Sequence, residues 1–495
     1  MSRVPNQLRH CNARKDLLPK FSLTTARRIA PEALLPFIDR IRNSAERYRL
    51  ARGMFWSTAG AVSSRSLNLV ASFVMARVLG VSAFGELGIV QSTTNMFMTF
   101  AELGIGLTAT KHVAEFRKSD PARAGRIVAM TTVVAAVSGT AVGLIMIATS
   151  AWSARLMAAP HLQFLFALSS IALVLIVVRE AQHGVLSGLE AFKTRSTIQF
   201  LGGIANFLVA IVGVFYFGLI GAVCGLIASE AIVLCLNLRA IRRETSSAGI
   251  SVRWTDARKE LGILVSFGLP TLLAGAVYVP SMWLANMIMV NTPGGYAQMG
   301  TFNAADRWRS AILFLPSLLG AVTLPILASL RGEAASQKYH RVLGANVKLS
   351  FFASCVVAAP IALLAPWIMA SYGPGFRDGT WILITLCTTS VVFAPYWIVG
   401  QSLVSRGHTW TMFLFNLGWG TTLLTSAWLL RERQAMGLAL AYLLADTVRL
   451  TAALIYAQRM RAVEVVRTPE SAAAVRREIP LPAAELSISS ARDDS

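Results

Sequence analysis

The chain has 495 residues, 55% of them hydrophobic and only 14% charged, so its charged fraction is about half that of an ordinary soluble domain. The charges stand in short clusters between apolar runs of about 20 residues, the length that spans a hydrocarbon core of about 30 Å, which excludes a soluble globular protein. A formal net charge of +21 would also suit a nucleic-acid binder, but basic residues scattered between membrane spans report cytoplasmic loops and anionic headgroups; no nucleic-acid partner is expected.

Residues 1–50 form a basic leader without the short apolar core and cleavage site of a secretory signal, and it is expected to stay cytoplasmic. Within it Leu34, Leu35, Ile38 and Ile41 recur at helical spacing opposite arginines. The pattern fits a helix lying flat on the inner leaflet or a disordered tail. Twelve apolar spans follow, near Gly53 to Ala76, Leu87 to Thr110, Ile127 to Ala151, Phe164 to Val185, Thr197 to Phe217, Leu219 to Leu238, Ile263 to Met289, Phe302 to Leu330, Leu349 to Met369, Trp381 to Val404, Thr411 to Leu430 and Ala435 to Ala457. Prolines interrupt the seventh at Pro270 and Pro280 and the eighth at Pro316 and Pro325. The fold class is therefore all-α, a polytopic membrane protein of about 12 transmembrane helices.

Loops after odd-numbered spans hold five Lys and Arg residues and loops after even-numbered spans hold eighteen, which places the even loops and both termini in the cytoplasm. The longest internal connection falls after the sixth span. It divides the chain into a six-helix lobe over residues 51–238, a cytoplasmic linker over 239–260 and a second six-helix lobe over 261–458, with a tail over 459–495 expected to be disordered. Six spans per half is an even number, so the halves share one orientation, and RVLGVSAFGELGIVQS after the first span can be laid over VNTPGGYAQMGTFNAA after the seventh.

Ionisable side chains at span depth are costly, about 2.5 to 3.5 kcal/mol on insertion scales, and face a cavity or a partner. In the first span Ser57, Ala61, Ser64, Arg65, Asn68 and Ser72 share a helix face; in the second, Gln91, Asn95, Met98 and Glu102 do; in the eighth, Asn303, Asp306, Arg307 and Ser310 do. The amides and serines read equally as interhelical glue and as cavity lining. For Arg65 and Arg307 the cavity is favoured, the alternative being an Arg65 to Glu102 or Asp306 to Arg307 pair. Arg179 and Glu180 read as snorkelling or pairing residues, and Asp446 with Arg449 reads first as a local ion pair. Glu102, Asp306, Glu230 and Asp446 are candidate ion-coupling residues.

No enzymatic constellation emerges. The chain has no phosphate-cradling glycine-rich loop ending in Lys-Ser or Lys-Thr, its six histidines are dispersed without metal-ligand spacing, and Asp493 with Asp494 reads as a solvated pair. No catalytic residue, metal or cofactor is expected. Cys224, Cys235, Cys355 and Cys387 lie in apolar runs and read as small core residues, with Cys11 in the leader.

From Arg52 to Val128 the motifs ARVLGVSAFGELG, AELGIG and KHVAEF, followed by a short charged linker, resemble bacterial polysaccharide-transport flippases. These are the O-antigen and exopolysaccharide translocases of the multidrug/oligosaccharidyl-lipid/polysaccharide exporter superfamily. GLEAFKTRS and VSRGHTW sit where that family has short cytoplasmic turns. The resemblance implies two lobes around a central cleft that opens alternately to each side of the inner membrane, with the first, second, seventh and eighth helices lining it. It implies a glycan on polyprenyl diphosphate as substrate, with membrane lipids, a polysaccharide polymerase and export machinery as partners.

A substrate site then follows as an expectation. Arg65 and Arg307 would hold the diphosphate, and Asn68, Gln91, Asn95, Asn303, Tyr278 and Tyr396 would contact the sugar. Three other readings stand beside it. A multidrug cation antiporter of the same superfamily would prefer an acidic cleft, a membrane glycan polymerase or ligase would need a sizeable external loop, and a scaffold would have no use for buried arginines.

Overall fold

The computed structural model describes residues 45–252, 254, 257–262, 276–320, 333–406 and 409–466. The interfacial helix expected in the leader, the tail beyond residue 466, Pro270, Pro325 and the first half of the seventh span lie outside the described residues. Residues 1–59 and 60–495 form two units, and in the first the described residues 45–59 are helical.

Among the described residues every regular element is a helix, and seven helices are long and apolar enough to cross a membrane. Two of the seven are each a pair of crossings joined by one glycine. Helix α1 (Ala45–Glu102) breaks at Gly80 (φ 77°, ψ 172°). The helix over Phe192–Ser247 breaks at Gly218 (φ 56°, ψ −131°), a conformation that penalises any residue with a Cβ. The second hairpin closes so tightly that a Cβ on Gly213 would strike the Gly221 carbonyl and one on Gly225 would strike the Ala210 backbone. In lipid, apolar side chains gain nothing by leaving their surroundings, and such small-residue approaches hold helices together.

The run Leu87 to Thr110, expected as one span, is divided. Leu103 (φ 45°) and Gly104 (φ 64°) both adopt left-handed backbone and turn α2 (Ile105–Ser119) onto a later helix, where Gly106 and Gly184 cross backbone to backbone. Helix α3 (Pro121–Ala148) starts with proline in its first turn, and the Asp120 carboxylate accepts from the Arg123 amide at 2.9 Å, a cap that satisfies one orphan donor. Then follow α4 (Ser150–Leu156), α5 (Gln163–Gly188) and α6 (Phe192–Ser247). Helix α5 is the hub of this group and packs on α2, α3 and α6.

The second group comprises α7 (Tyr278–Val290), α8 (Gly295–Ile312), α9 (Glu333–Leu363), α10 (Ala365–Tyr372), α11 (Thr380–Ser405), α12 (Thr409–Leu429) and α13 (Gln434–Val466). Here α11 packs on α9 and α13, and α12 packs on α7 and α13. The ninth span ends at Leu363, and α10 restarts with Pro366 in its first turn. Of the cysteines expected in the core, Cys387 is buried, whereas Cys224 and Cys235 are exposed; a small thiol facing lipid costs little, so an apolar run does not say which way it points.

Loops after odd-numbered spans gather at one end. There the Tyr296 hydroxyl donates to the Met157 carbonyl at 2.6 Å, Gln434 Nε2 to the Pro293 carbonyl at 2.9 Å and Arg77 to the Ser371 carbonyl at 3.3 Å. Loops after even-numbered spans gather at the other, where Arg117 pairs with Glu190, and Arg123 and Arg126 each donate from Nε to the buried Glu260 carboxylate at 3.2 Å. Glu260 thereby ties the connection after the sixth span to the start of α3. Glu260→Gln removes the charge under two partly exposed arginines, a loss of about 1 to 2 kcal/mol at this contact. Limited trypsin digestion is expected to cut at Arg258 and Lys259 several-fold faster in the variant, and equal rates would contradict the tie.

Candidate functional site

Past Gly80, the second arm of α1 runs alongside α8 with glycines on both sides. A Cβ on Gly85 would collide with the Tyr296 carbonyl and the Gly300 amide, one on Gly300 with the Val81 carbonyl, and one on Gly88 with the Asn303 side chain. Three side-chain hydrogen bonds continue this seam. Asn286 Nδ2 donates to Ser92 Oγ at 2.9 Å, Trp283 Nε1 to Thr93 Oγ1 at 3.0 Å, and Arg307 Nη2 to Gln91 Oε1. The two helix groups are thus joined from Val81 to Thr93, the part of the arm nearest the odd-loop end. Asn303 Nδ2 is buried there with no hydrogen-bond partner.

Toward the even-loop end, Asn95 is exposed. Arg65 is exposed too, and its guanidinium lies 4.5 Å from the centre of the Phe314 ring. A stacked guanidinium keeps its in-plane N–H donors free for an anion. Phe314 stands seven residues beyond Arg307, so the two arginines occupy different depths of the same boundary rather than one pocket. Asn68 turns the other way: its carbonyl accepts from Asn206 Nδ2 at 2.9 Å, Asn206 in turn accepts from Ser229 at 3.3 Å, and Gly203 lies against Ser64. That face of the first span is in contact with α6.

Glu102 lines a separate cavity of about 650 Å3 together with Glu180, His183, Arg195, Thr110 and Val279. Behind it Arg179 bridges two carboxylates, donating to Glu230 and to Glu180 at 2.9 Å each, and Arg195 donates to Ser187 Oγ at 2.8 Å. Glu230 Oε2 and His183 Nε2 are buried without partners. Glu102 and Glu230, on helices distant in sequence, therefore flank the same arginine and glutamate.

A third cluster lies among α7, α11, α12 and α13. Arg449, 3% exposed, is ringed by Tyr396 (4.1 Å to the ring centre), Trp419 (4.8 Å), Phe393 (5.2 Å) and Tyr278 (5.5 Å), and it pairs with Asp446. Trp419 Nε1 donates to the Asp446 carboxylate at 2.8 Å, and Tyr278 stacks on Trp419 at 4.4 Å. Asp306 pairs with Arg309 at 2.6 Å rather than with Arg307, because one turn along its own helix is closer than a neighbour pointing away. Tyr278 and Tyr396, expected against sugar, here face Arg449. Trp419, Phe393, Trp283 and Ser92 escaped the sequence reading, since nothing local marks an aromatic or serine whose partner lies on another helix.

Residues 50–331 match the polysaccharide biosynthesis protein family. A protein named EPS I polysaccharide export inner membrane protein EpsE, from Ralstonia nicotianae, is 22% identical over 381 residues, covering 74% of this chain and 84% of its own length. Among solved structures, an inward-facing multidrug resistance MATE family transporter of the MOP superfamily superposes with a TM-score of 0.72 at 16% identity, over 82% of this chain and 96% of the other. A MOP superfamily transporter from Pyrococcus furiosus, described as having a binding pocket of reverse polarity, superposes with a TM-score of 0.64 at 16% identity over 84% and 96% of the two chains. The chain shares its fold with these transporters, and with more than half its length matched it belongs to the polysaccharide biosynthesis protein family.

Proposed function

We propose that the chain carries a glycan on a polyprenyl diphosphate across the bacterial inner membrane by alternating access between two six-helix lobes, residues 51–238 and 261–458. The observation that carries this reading is the seam between α1 and α8 at the odd-loop end, with Arg307 at its inner limit and Arg65 exposed beyond it. The family membership and the name of the Ralstonia relative support export and the inner membrane. The excess of Lys and Arg in the even loops supports a cytoplasmic location for that end and for both termini, which makes the seam an outer gate.

Each seam hydrogen bond contributes a modest net amount, about 0.5 to 1.5 kcal/mol, and the glycine crossings below them fit only at full contact. A gate of this kind closes completely or not at all. A diphosphate reaching Arg307 competes with Gln91 for the same guanidinium by stronger charge-assisted bonds, so loading the substrate releases one of the bonds that hold the gate. Arg65 receives the anion first, and Asn95, Asn303 and Gln91 offer amides to sugar hydroxyls, while the polyprenyl tail stays in lipid. Glu102, Glu180 and Glu230 around Arg179 are the groups through which an ion gradient would bias the cycle. Guanidinium groups along this path disfavour a cationic drug as substrate. A polymerase and export machinery would take the glycan on the far side.

A deletion strain complemented with Arg65→Ala or Arg307→Ala tests the reading. Each variant is expected to lower surface polysaccharide about tenfold or more at normal protein levels, the loss of one charge-assisted contact. Full restoration by both would remove the arginines from the pathway.

A further inference from the structure

At the odd-loop end a second cavity, about 760 Å3 in volume, opens beside the seam. It is lined by the apolar Leu156, Met287, Ile288 and the 57% exposed Trp428, and by Asn291, Arg431 and the carboxylate of Glu432. The wall is fixed from both sides. Asn291 Nδ2 donates to the Leu156 carbonyl at 2.8 Å and Gln434 Nε2 to the Pro293 carbonyl at 2.9 Å. Gln434 itself sits at φ 49°, ψ −128°, backbone that a residue with a Cβ adopts only when its surroundings hold it there.

Two features set this turn apart from the rest of its end. Of the five Lys and Arg in the odd loops, two, Arg431 and Arg433, flank Glu432 in the three-residue turn Arg431–Arg433, a net positive turn against the general depletion of cations on that side. In addition, the Arg431 guanidinium lies 4.2 Å from the centre of the Trp428 ring, and both residues line the cavity. An interfacial tryptophan alone is what any membrane helix end presents. A largely apolar cavity with a stacked arginine in its wall, beside a carboxylate, is the chemistry of a phosphate ester joined to a long apolar chain, the phosphate taking the guanidinium and the carboxylate facing water or a headgroup hydroxyl.

We propose that this cavity binds an anionic phospholipid of the surrounding leaflet, with its phosphate on Arg431 and the first carbons of one acyl chain on Met287, Ile288 and Trp428. The site takes Leu156 from one helix group and the rest of its lining from the other, so an occupant whose chain also reaches Leu156 bridges the two groups and favours the arrangement in which they meet here. The assignment does not depend on which glycan is moved, or on whether one is.

The test uses the purified full chain in nanodiscs containing a trace of phosphatidylglycerol or phosphatidylcholine with a photoactivatable acyl chain, and crosslinked peptides are mapped by mass spectrometry. Phosphatidylglycerol is expected to label the peptides that contain Met287 to Pro293 and Trp428 to Gln434 about tenfold more than phosphatidylcholine. Arg431→Gln should abolish that preference, Arg431→Lys should keep part of it, and labelling at the even-loop end should stay unchanged in both. Equal labelling by the two lipids, or a preference that survives Arg431→Gln, overturns the proposal. So does displacement of the phospholipid by soluble oligosaccharide, which would assign the cavity to a glycan. Loss of glycan export with the labelling pattern intact would leave this site standing while removing the transport reading.

Discussion

Gly300→Val is expected to cut polysaccharide export by about a hundredfold while the protein reaches the membrane in near normal amount. Overpacking a close contact costs about 1 to 3 kcal/mol, and here the whole cost falls on one arrangement, because the atoms a Cβ at residue 300 would meet are the Val81 carbonyl and the Gly85 amide across the seam. Neither group can rotate away as a side chain would. A penalty of 3 kcal/mol confined to the closed seam shifts the equilibrium about 150-fold, whereas the packing inside each helix group is untouched. Gly300→Ala should fall between wild type and valine. The direct readout is a cysteine placed at Ser92 in a background lacking the native cysteines: a membrane-impermeant maleimide should label it faster in Gly300→Val than in wild type. Normal export together with faster labelling would show that the seam does not have to close, and unchanged labelling would show that a Cβ at residue 300 does not hold it open.

The periodic polar faces were legible because helical spacing is a local property. Gln91, Asn303 and Arg307 share the seam, and the glycines that allow it stand in plain view in FGELG and AQMGTF. What a single chain does not disclose is which neighbour a face meets. Asn68 and Arg65 are three residues apart, yet one is hydrogen-bonded to α6 and the other lies over Phe314; a rotation of 60° about the helix axis, from the 3.6-residue turn, separates the two destinies. Arg179 was readable as an interhelical pairing residue, but its partner Glu230 lies 51 positions away, beyond any spacing rule. The break at Leu103 was hidden for a different reason. Gly104 by itself is tolerated within a helix, and it is the crossing of Gly106 with Gly184 that requires the chain to turn there.

Arg449→Ala is expected to destabilise the protein by about 3 to 5 kcal/mol, since it strands the buried Asp446 carboxylate without its counter-ion. Asp446 is 1% exposed and keeps the indole N–H of Trp419 as its one neutral donor, while the Arg309 guanidinium, whose charge also reaches it, is already paired with Asp306. The companion variant separates packing from charge. Replacing both partners by apolar residues of similar size, Asp446→Leu with Arg449→Met, should recover most of the loss, because the desolvation penalty of both ions disappears together. Four aromatic rings already line the space, and a methionine thioether packs well against them. Thermal unfolding in detergent, followed by the fraction remaining soluble, measures both effects on one scale. The double variant also decides the role of Asp446: if it exports polysaccharide at the wild-type rate, the pair holds α11, α12 and α13 together and takes no part in ion coupling. If it is stable and inactive, the charge at this position belongs to the transport cycle.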